Sequence, residues 1–327
     1  MRIAVTGSIA SDHLMTFRGR FADSLVVEQL DKISVSFLAE TLDIRRGGIA
    51  GNICFGVAAL GGRPLLVGAA GEDFADYRSW LSRHGVITDH VRLSESQHTA
   101  RFVCTTDDDM AQIATFYAGA MSEARMIELG PIHAQAALDL VLIGANDPEA
   151  MLRHTDECKV RGIKFIADPS QQLAFADGPF IRRLIDGADY LFTNEYESHL
   201  TSTKTGWTSD EIDARVTTRV ITRGGDGVTI RTQGEAPIEV PVVPNVERID
   251  PTGVGDAFRA GFLTGLAGGL SYERCAQIRS TLAAYVLETV GTQEYSITTS
   301  GFVARVRSAY GASAAQEIAP HIRCARD

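Results

Sequence analysis

The sequence predicts one α/β domain spanning residues 1–327, in which helices cover both faces of a mainly parallel central sheet and a small second sheet is added. Three observations support this fold class. Short β-branched runs alternate with helix-like segments along most of the chain, which is typical of βαβ units. Two other segments alternate apolar and polar residues, as half-exposed strands do. Hydrophobic residues form 45% and charged residues 22% of the chain, a composition typical of globular proteins.

Five apolar runs predict strands of the central sheet, and each ends in polar or small residues. They are residues 2–5, 63–71, 138–146, 163–170 and 188–197. Helices are predicted at 50–60, 74–84, 148–161 and 178–187, and most of the chain after residue 256 has a helical pattern. Ligands collect at the carboxyl ends of strands in such sheets, so the polar residues there are the first candidates for a site. These candidates are Ser8, Asp12, Asn146, Asp168, Gln171, Gln172, Asn194 and Glu197.

The other strand-like segments predict a small sheet that forms a lid, inserted at about residues 12–46 and 99–120. In residues 31–46, an Ile-Ser-Val-Ser-Phe alternation predicts a half-exposed strand. Residues 99–117 contain two alternating runs on either side of the turn 107–110, which predicts a hairpin. An exposed strand of this kind is an edge that favours pairing with another chain.

The composition disfavours several functional classes. The net charge of −10 argues against a nucleic acid polymer as partner, because phosphate backbones are bound by lysine and arginine. The five cysteines are scattered, and no C-x-x-C or Cys/His cluster occurs, so neither a disulfide framework nor a zinc site is predicted. Apolar runs are too short to span a membrane, and no secretory segment follows the first residues. We therefore expect a cytoplasmic protein with reduced thiols and no membrane partner.

The stretch VERIDPTGVGDAFRAGF, residues 246–262, places turn-forming residues directly before an amphipathic helix. The first amides of a helix have no partners within it, and the helix N-terminus carries roughly half a positive charge. One interpretation is that Asp256 caps this helix. The other is that Gly253, Val254 and Gly255 offer their amides to a transferring phosphate, while Asp256 accepts a proton. This stretch alone leaves both interpretations open.

Several known classes of phosphate- or nucleoside-handling enzyme are excluded by the motifs that the sequence lacks. No G-x-x-x-x-G-K-[ST] occurs, and neither H-R-D nor D-F-G occurs, so the chain is neither a P-loop NTPase nor a protein kinase. The first predicted turn, GSIASD, lacks the G-x-G-x-x-G dinucleotide fingerprint. The zinc-ligand spacing of nucleoside deaminases is also absent.

Four short motifs occur in order along the chain: RGGIAGN (46–52), NEYE (194–197), TRGGDG (222–227) and DPTGVGD (250–256). Taken singly, each has a plain structural interpretation, such as a helix start or a hairpin turn. Taken together, they make the chain resemble the PfkB (ribokinase-like) family of small-molecule kinases over nearly its whole length. The resemblance implies a ribokinase-like three-layer α/β/α fold with a β-sheet lid. Val254 departs from the family pattern, which has a small residue there, but it keeps the backbone amide.

This resemblance implies a role for each motif. Asp256 would accept the proton of the attacking hydroxyl, with the amides of Gly253, Val254 and Gly255 as an anion hole. We expect the helix dipole to lower the pKa of Asp256. Asn194 and Glu197 would organise Mg²⁺, Glu197 acting through water. The nucleotide, ATP, would be held by a loop comprising Thr222, Arg223, Gly224, Gly225, Asp226 and Gly227.

Many members of the family also hold a monovalent cation beside the anion hole. Asp250 and Thr252 match one side of that site, and the loop around Thr289 and Gly291 would supply carbonyls for the other. We therefore expect K⁺ as an activator.

The substrate is predicted from the lid and from the resemblance. Residues that match the family's grip on sugar hydroxyls are Ser8, Asp12, Gly48 and Asn52. If the lid hairpin turns near Asp108, then Phe102 lies opposite Phe116, and the two rings could stack on a flat base. Gln171 and Gln172 could present amides to a purine edge. The alternative is that the two phenylalanines form a small core of the lid.

The segments GSIASDHL, ARFVCTTDDDMAQIATFY and DPSQQLA also resemble the adenosine kinases of actinobacteria. This resemblance implies transfer of the ATP γ-phosphate to the 5′-hydroxyl of adenosine, giving AMP and ADP in purine salvage. It further implies a homodimer in which the lids pair, with Ser36 reaching a site in its own or the partner subunit. Two alternatives are kept: a ribokinase- or fructokinase-type sugar kinase, and a non-catalytic nucleoside-binding protein.

Overall fold

The computed structural model describes residues 1–24 and 34–324, which form two β-sheets and the helices packed on them. The strands, in chain order, are β1 (Ile3–Thr6), β2 (Ala10–Phe17), β3 (Ala39–Gly47), β4 (Leu65–Ala70), β5 (Val91–Leu93), β6 (Ala100–Thr106), β7 (Gln112–Tyr117), β8 (Leu140–Ile143), β9 (Lys164–Ala167), β10 (Tyr190–Asn194), β11 (Thr218–Thr222), β12 (Val228–Thr232) and β13 (Ile238–Val240). Nine of them form the large sheet, in the order β13-β12-β11-β10-β9-β8-β1-β4-β5.

The large sheet is parallel except at one edge, where β12 and β13 run antiparallel to their neighbours. The five strands predicted from apolar runs are confirmed as β1, β4, β8, β9 and β10. Strands β5 and β13 have three residues each, too few to produce a recognisable pattern in the sequence.

Helices cover both faces of this sheet, except α1, which packs against β2 and the turn at Asp107. They are α1 (Phe21–Ser24), α2 (Ile49–Ala59), α3 (Ala75–Arg83), α4 (Leu129–Ala136), α5 (Pro148–Arg161), α6 (Gln172–Phe175), α7 (Gly178–Ile185), α8 (Glu195–Thr205), α9 (Ser209–Asp213), α10 (Val254–Ala267), α11 (Tyr272–Leu287) and α12 (Thr299–Ile318). The four helices predicted before residue 200 are confirmed as α2, α3, α5 and α7. None of the helices in the described part of the chain is both long and apolar enough to cross a membrane.

Two separate hydrophobic cores lie on opposite faces of the large sheet, as the alternation of strand side chains requires. In β1, Ile3 and Val5 belong to the core packed against α2, α10 and α11, whereas Ala4 belongs to the core under α5 and α7. This arrangement confirms the predicted α/β/α layers. It also fixes the helices, so that α2 and α10 begin at the edge where the parallel strands end.

The small sheet has the strand order β3-β2-β6-β7 and stands beyond that same edge. Strand β2 follows β1 after three residues, and β6 pairs parallel with β2, so both halves of the predicted lid meet. The predicted hairpin is confirmed as β6 and β7, with Phe102 directly opposite Phe116.

One predicted lid strand is wrong over part of its length. Residues 34–38 have no regular structure, and β3 begins only at Ala39, while Ile33 lies outside the described residues. The Ile-Ser-Val-Ser-Phe alternation has another cause, because the Phe37 ring packs against Phe17 and Phe21 in an aromatic cluster. Ser36, which the sequence analysis assigned to a substrate site, is exposed in this irregular segment.

Gly48 joins the lid to the central domain, because it follows β3 and precedes α2 with φ of +87°. A Cβ atom at this position would lie 2.6 Å from the carbonyl oxygen of Ser8 and from the amide nitrogen of Ala10. Both are backbone atoms, so the contact cannot be relieved by moving a side chain. Only glycine fits at this junction.

We predict that Gly48→Ala lowers the free energy of unfolding by at least about 3 kcal/mol, from backbone strain and the clash together. The matched control is Gly162→Ala, because Gly162 also has a positive φ, of +65°, but open space around it. The control should cost only about 1 kcal/mol. Urea denaturation of the two variants measures both values. Equal losses would show that close approach of the backbone at Gly48 is unimportant.

Candidate active site

Asp256 lies in the first turn of α10, beside a helix N-terminus that no side chain caps. Gly253 is the N-cap residue and has a left-handed φ of +79°. The Val254 amide already makes a long bond of 3.3 Å to the carbonyl of Pro251, so the anion hole depends mainly on its neighbours. The side chain of Asp256 does not cap the helix, which removes the simpler interpretation of this residue.

The expectation that the helix dipole lowers the pKa of Asp256 is wrong. Burial raises the pKa of this carboxyl to about 6, although Arg259 and a hydrogen bond from Asn52 both oppose the shift. The helix dipole lowers the pKa only through a partial charge at the helix end. Burial raises the pKa more, because it removes water from the full charge of the carboxylate. Asp256 is therefore a stronger base than an exposed carboxylate and is still ionised at neutral pH.

A chain of buried amides holds Asp256 in place. Asn52 on α2 donates from Nδ2 to Asp256 Oδ2 at 2.8 Å, and its Oδ1 accepts from Gln293 Nε2 at 2.9 Å. Gln293 Nε2 also contacts the Tyr77 hydroxyl at 2.6 Å, and Trp80 Nε1 donates to Gln293 Oε1 at 3.2 Å. These contacts fix which way the Asn52 amide points. Asn52 is predicted from the sequence as a site residue, but Gln293 is not. Its position in the turn GTQEY is the one feature of the sequence that could have indicated such a role.

Arg259 and Asp168 form a two-point ion pair beside Asp256. Arg259 Nη2 donates to Asp168 Oδ1 at 2.6 Å, and Nε donates to Oδ2. Asp168 is fully buried at the end of β9. Arg259 lies one helical turn after Asp256 and lines the same cavity, where Asp168 compensates its charge. Asp168 is predicted from the sequence as a strand-end residue; Arg259 is not, although its helical spacing from Asp256 would have indicated it.

Asn194 and Glu197 form a capping box at the start of α8. Asn194 Oδ1 accepts from the Glu197 amide at 2.7 Å, and Glu197 Oε2 accepts from the Asn194 amide at 2.8 Å. Both side chains also line a cavity of about 280 Å³ together with Asp256, Arg259 and Thr222. Burial raises the pKa of Glu197. The motif therefore builds a helix and still presents one carboxylate oxygen to the cavity.

The predicted sugar-binding residues meet where β1 ends and α2 begins. Ser8 Oγ accepts from the Ile49 amide at 3.1 Å, and Gly48 sits between the two. The Asp12 carboxylate lies over Gly47, where a Cβ atom would be only 2.8 Å from Oδ2. Burial raises the pKa of Asp12 to about 6, against the effect of Arg45. Together with Asn52, these groups form a polar surface at the junction of the lid and the central domain, called the sugar floor below.

Phe102 and Phe116 lie on the same face of the lid as Asp12, because Asp12 is also the register partner of Phe102. Phe102 is half-buried and Phe116 is exposed, so they do not form a closed lid core. Gln171 lines the Asp256 cavity rather than the lid. The side-chain Nε2 of Gln172 donates to the backbone carbonyl of Asn146 at 2.8 Å. Of the four residues predicted to contact a base, the two phenylalanines are the ones that belong to the lid.

The predicted nucleotide loop is a turn between β11 and β12. Thr222 lines the Asp256 cavity, whereas Gly224 and Gly225 line a second, larger cavity of about 550 Å³ on the other side of Val254. Gly227, which follows the exposed Asp226, is buried. Arg223 is held by an ion pair with Glu239, so its charge is already compensated.

The residues predicted to hold a monovalent cation are partly brought together. Asp250 Oδ1 accepts from the Thr252 amide at 2.9 Å, and its Oδ2 accepts from the Gly291 amide at 3.0 Å. Burial raises the pKa of Asp250, but the hydrogen bonds from Thr252 and Gly291 outweigh it and keep the pKa below its usual value. Thr289 instead bonds through its hydroxyl to the carbonyl of Tyr285.

The arrangement can bind an anion and remove a proton at one point. Asp256 supplies the base, and the helix N-terminus supplies positive potential. Within residues 1–24 and 34–324, no cluster of three or more histidines, cysteines or carboxylates could coordinate a metal tightly. A cation held mostly by water and phosphate, as Mg²⁺ usually is, fits the single half-buried carboxylate of Glu197.

We predict that the Asp256 carboxyl titrates near pH 6 and that Asn52→Leu moves its pKa higher, because the variant removes a donor that stabilises the charged form. Carboxyl carbon NMR of protein labelled at aspartate measures the titration. Burial raises the pKa of Asp12 to about 6 as well, so its signal would overlap that of Asp256. Both measurements are therefore made in an Asp12→Asn background. A titration near pH 4, or no shift in Asn52→Leu, would contradict this account.

Comparison with known proteins is consistent with this geometry. The family model described as "pfkB family carbohydrate kinase" matches residues 12–299. The nucleoside kinase of Methanocaldococcus jannaschii is 31% identical over 250 residues, covering 76% of this chain and 80% of that protein.

Solved structures give the same result. The nucleoside kinase of Burkholderia thailandensis in complex with inosine superposes with a TM-score of 0.82 and 36% identity, covering 95% of this chain and 98% of that one. Arabidopsis thaliana ribokinase complexed with ribose and ATP gives a TM-score of 0.73 at 21% identity, covering 94% and 98%, which shows the ribokinase-like fold alone. The chain belongs to the PfkB family of carbohydrate kinases.

Proposed function

We propose that the protein is an adenosine kinase, which moves the γ-phosphate of ATP to the 5′-hydroxyl of adenosine. The observation that carries this proposal is the position of Asp256. Its carboxylate lies at the uncapped start of α10, bonded to Asn52 of the predicted sugar floor, in the cavity that Thr222 of the predicted nucleotide loop also lines. This position supports a proton acceptor between the two predicted substrates.

The reaction follows from this arrangement. The 5′-hydroxyl gives its proton to Asp256 Oδ1, since Oδ2 is occupied by the Asn52 amide. The freed oxygen forms a bond to the γ-phosphorus, and the bond to the oxygen bridging the β- and γ-phosphorus atoms breaks, so that ADP leaves with the electron pair. Amides at the start of α10 neutralise charge on the transferring group. Mg²⁺, held through water by Glu197 beside Asn194, would neutralise further phosphate charge.

The nucleoside part of the proposal is supported by the lid and by the relatives. Phe102 and Phe116 share one face of the lid with Asp12, and a purine lying on that face would be stacked on aromatic carbon. Two similar proteins are named nucleoside kinases, and one of their structures contains inosine. We therefore keep other purine nucleosides as a second candidate substrate class. The sequence resemblance to adenosine kinases favours adenosine.

We propose K⁺ as an activator on the evidence of Asp250. Its hydrogen bonds tie the turn before α10 to the loop at Gly291, and its low pKa keeps it charged. A cation beside this carboxylate would hold both segments against the start of α10.

Asp256→Asn should lower kcat on adenosine by about 10²–10⁴-fold, because it removes the base and keeps the shape. The variant should still fold. Burial disfavours the ionised carboxylate, which is the form present above the pKa of about 6, and a neutral amide removes that free-energy cost. ADP release is measured with ATP and Mg²⁺, with and without K⁺, on adenosine, inosine, ribose and fructose. Turnover on free sugars alone would favour a sugar kinase, and no turnover would favour a nucleoside-binding protein.

Phe102→Ala should raise KM for adenosine by roughly tenfold, the scale of one lost base–aromatic contact, with little effect on any activity toward ribose. Phe175→Ala is the matched control, because Phe175 is also an exposed phenylalanine but lies on α6, outside the lid. Steady-state kinetics with both substrates separates the effects. A KM for adenosine that is unchanged in Phe102→Ala would place the base elsewhere.

We propose a homodimer formed through the lid face that points away from Asp12. By register, this face carries Leu42, Ile44 and Ile113, all exposed apolar side chains on the two outer strands of the lid. A sheet face of this kind is self-complementary and buries its apolar surface when two copies pack together.

Ile44→Asp should convert the dimer to a monomer in sedimentation velocity, because the charge would be buried in the interface. Thr41→Asp is the control, since Thr41 is exposed on the inner face of the same strand. A monomeric unmodified protein would disprove the dimer.

A further inference from the structure

Tyr77 is a buried tyrosine on α3 whose hydroxyl connects the lid to the buried amides around Asp256. The hydroxyl donates to the carbonyl of Gly47 at 3.0 Å and accepts from Gln293 Nε2 at 2.6 Å. Burial raises the pKa of Tyr77, so the hydroxyl keeps its proton, and its one donor goes to Gly47. Gly47 is the last residue of the lid strand β3. One hydroxyl therefore joins the lid strand to the residue that orients Asn52.

The donors and acceptors of this network fit together in one direction. The indole of Trp80 can only donate, so Gln293 turns its Oε1 toward that ring. The Nε2 of Gln293 then has two N–H groups, one for Tyr77 and one for the Oδ1 of Asn52. Asn52 is left with its own Nδ2 facing Asp256. The carboxylate thus receives a donor, rather than a repelling oxygen, because each bond before it is made.

Gly51, in the motif RGGIAGN, makes room for the Tyr77 hydroxyl. A Cβ atom at Gly51 would lie 2.2 Å from the hydroxyl oxygen. Gly51 lies within α2 and does not have a positive φ, so its backbone conformation does not require glycine. Glycine within a helix costs stability relative to alanine. The constraint at this position is therefore the close approach of the buried Tyr77 side chain.

The lid segment that Tyr77 contacts also supports the predicted sugar floor. The Asp12 carboxylate lies over Gly47, where a Cβ atom would be 2.8 Å from Oδ2. The loop before Gln293 adds a second tie, because the Thr292 hydroxyl donates to the carbonyl of Arg46 at 3.0 Å. A nucleoside held by Asp12 would thus be positioned by the same short segment to which the base is tied.

We propose that Tyr77 is a positioning residue for phosphoryl transfer, which keeps the base in register with a nucleoside held at the lid junction. Tyr77 does not line the cavity around Asp256, and it acts through Gln293 and Asn52. This inference rests on the proposed function, because it needs a nucleoside hydroxyl as the group that meets Asp256. Without the Tyr77 hydroxyl, Gln293 has an N–H group without an acceptor and the lid junction loses its tie. The base is then aligned less precisely, while the nucleoside still binds.

Tyr77→Phe keeps the ring and removes the hydroxyl. We expect kcat on adenosine to fall roughly tenfold, with KM for adenosine and ATP within about twofold, because alignment is lost and binding is not. Tyr310→Phe is the matched control, since Tyr310 also donates its hydroxyl to a backbone carbonyl, that of Pro241 at 2.9 Å, but on α12. Steady-state kinetics measures both variants. A kcat in Tyr77→Phe equal to that of the control, or an effect on KM alone, would overturn the inference.

A second measurement tests whether Tyr77 acts through Asn52. In the carboxyl NMR titration described above, Tyr77→Phe should raise the pKa of Asp256, because the donor from Asn52 is held less firmly. In Asn52→Leu, the same substitution should cause no further rise, since the residue it acts through is gone. The other charged groups that act on this carboxyl are the same in every variant, namely Arg259 and Asp168. A rise of equal size in both backgrounds would contradict the proposed route.

Gln293→Leu is the second variant, because it removes the middle of the network without changing α3. It should lower kcat and raise the pKa of Asp256 at least as much as Tyr77→Phe does, since Gln293 contacts Asn52 directly. Far-UV circular dichroism and thermal unfolding check that each variant is folded. Unchanged kcat and pKa in folded Gln293→Leu would overturn the inference. Absence of turnover with every nucleoside and sugar would instead disprove the proposed function, and the titration would still decide whether Tyr77 holds the base.

Discussion

The hydrogen bond from Asn52 to Asp256 joins two residues that are 204 positions apart, and the candidate site depends on it. It requires α2 and α10 to begin at the same edge of the large sheet, which the core that they share on one face of that sheet ensures. It also requires the Asn52 amide to point one way, which Gln293 ensures from a third segment. The base, the sugar floor and the loop after α11 are therefore one connected unit.

Much of the fold could be predicted from the sequence, because strand runs such as 138–146 and the glycine before α2 impose local constraints that a pattern shows directly. The role expected of Asp256 depended on four motifs taken together, because the stretch around it alone allows either a helix cap or a base. The irregular segment 34–38 was not, since an alternation of apolar residues can equally reflect an aromatic cluster around Phe37. The raised pKa of Asp256 could not be predicted either, because desolvation depends on what covers the residue.

Several residues of the site satisfy the fold and the chemistry with the same atoms. The capping box of Asn194 and Glu197 starts α8 and leaves one carboxylate oxygen facing the cavity. Ser8 likewise bonds to the first amide of α2 while forming part of the sugar floor. A sequence pattern cannot separate such roles, because a helix cap or a helix start already explains why the residue is there. The second role becomes visible only when residues from distant segments are found around one cavity.

The ion pair between Arg259 and Asp168 has a consequence for how this chain can change over evolutionary time. Loss of either partner leaves a buried charge uncompensated, which typically costs about 3–5 kcal/mol, a large part of the stability of a whole domain. Loss of both together leaves neither charge behind. The two positions are therefore expected to vary as a pair across descendants of this protein, although 91 residues separate them. A lineage that has abandoned one will have abandoned the other.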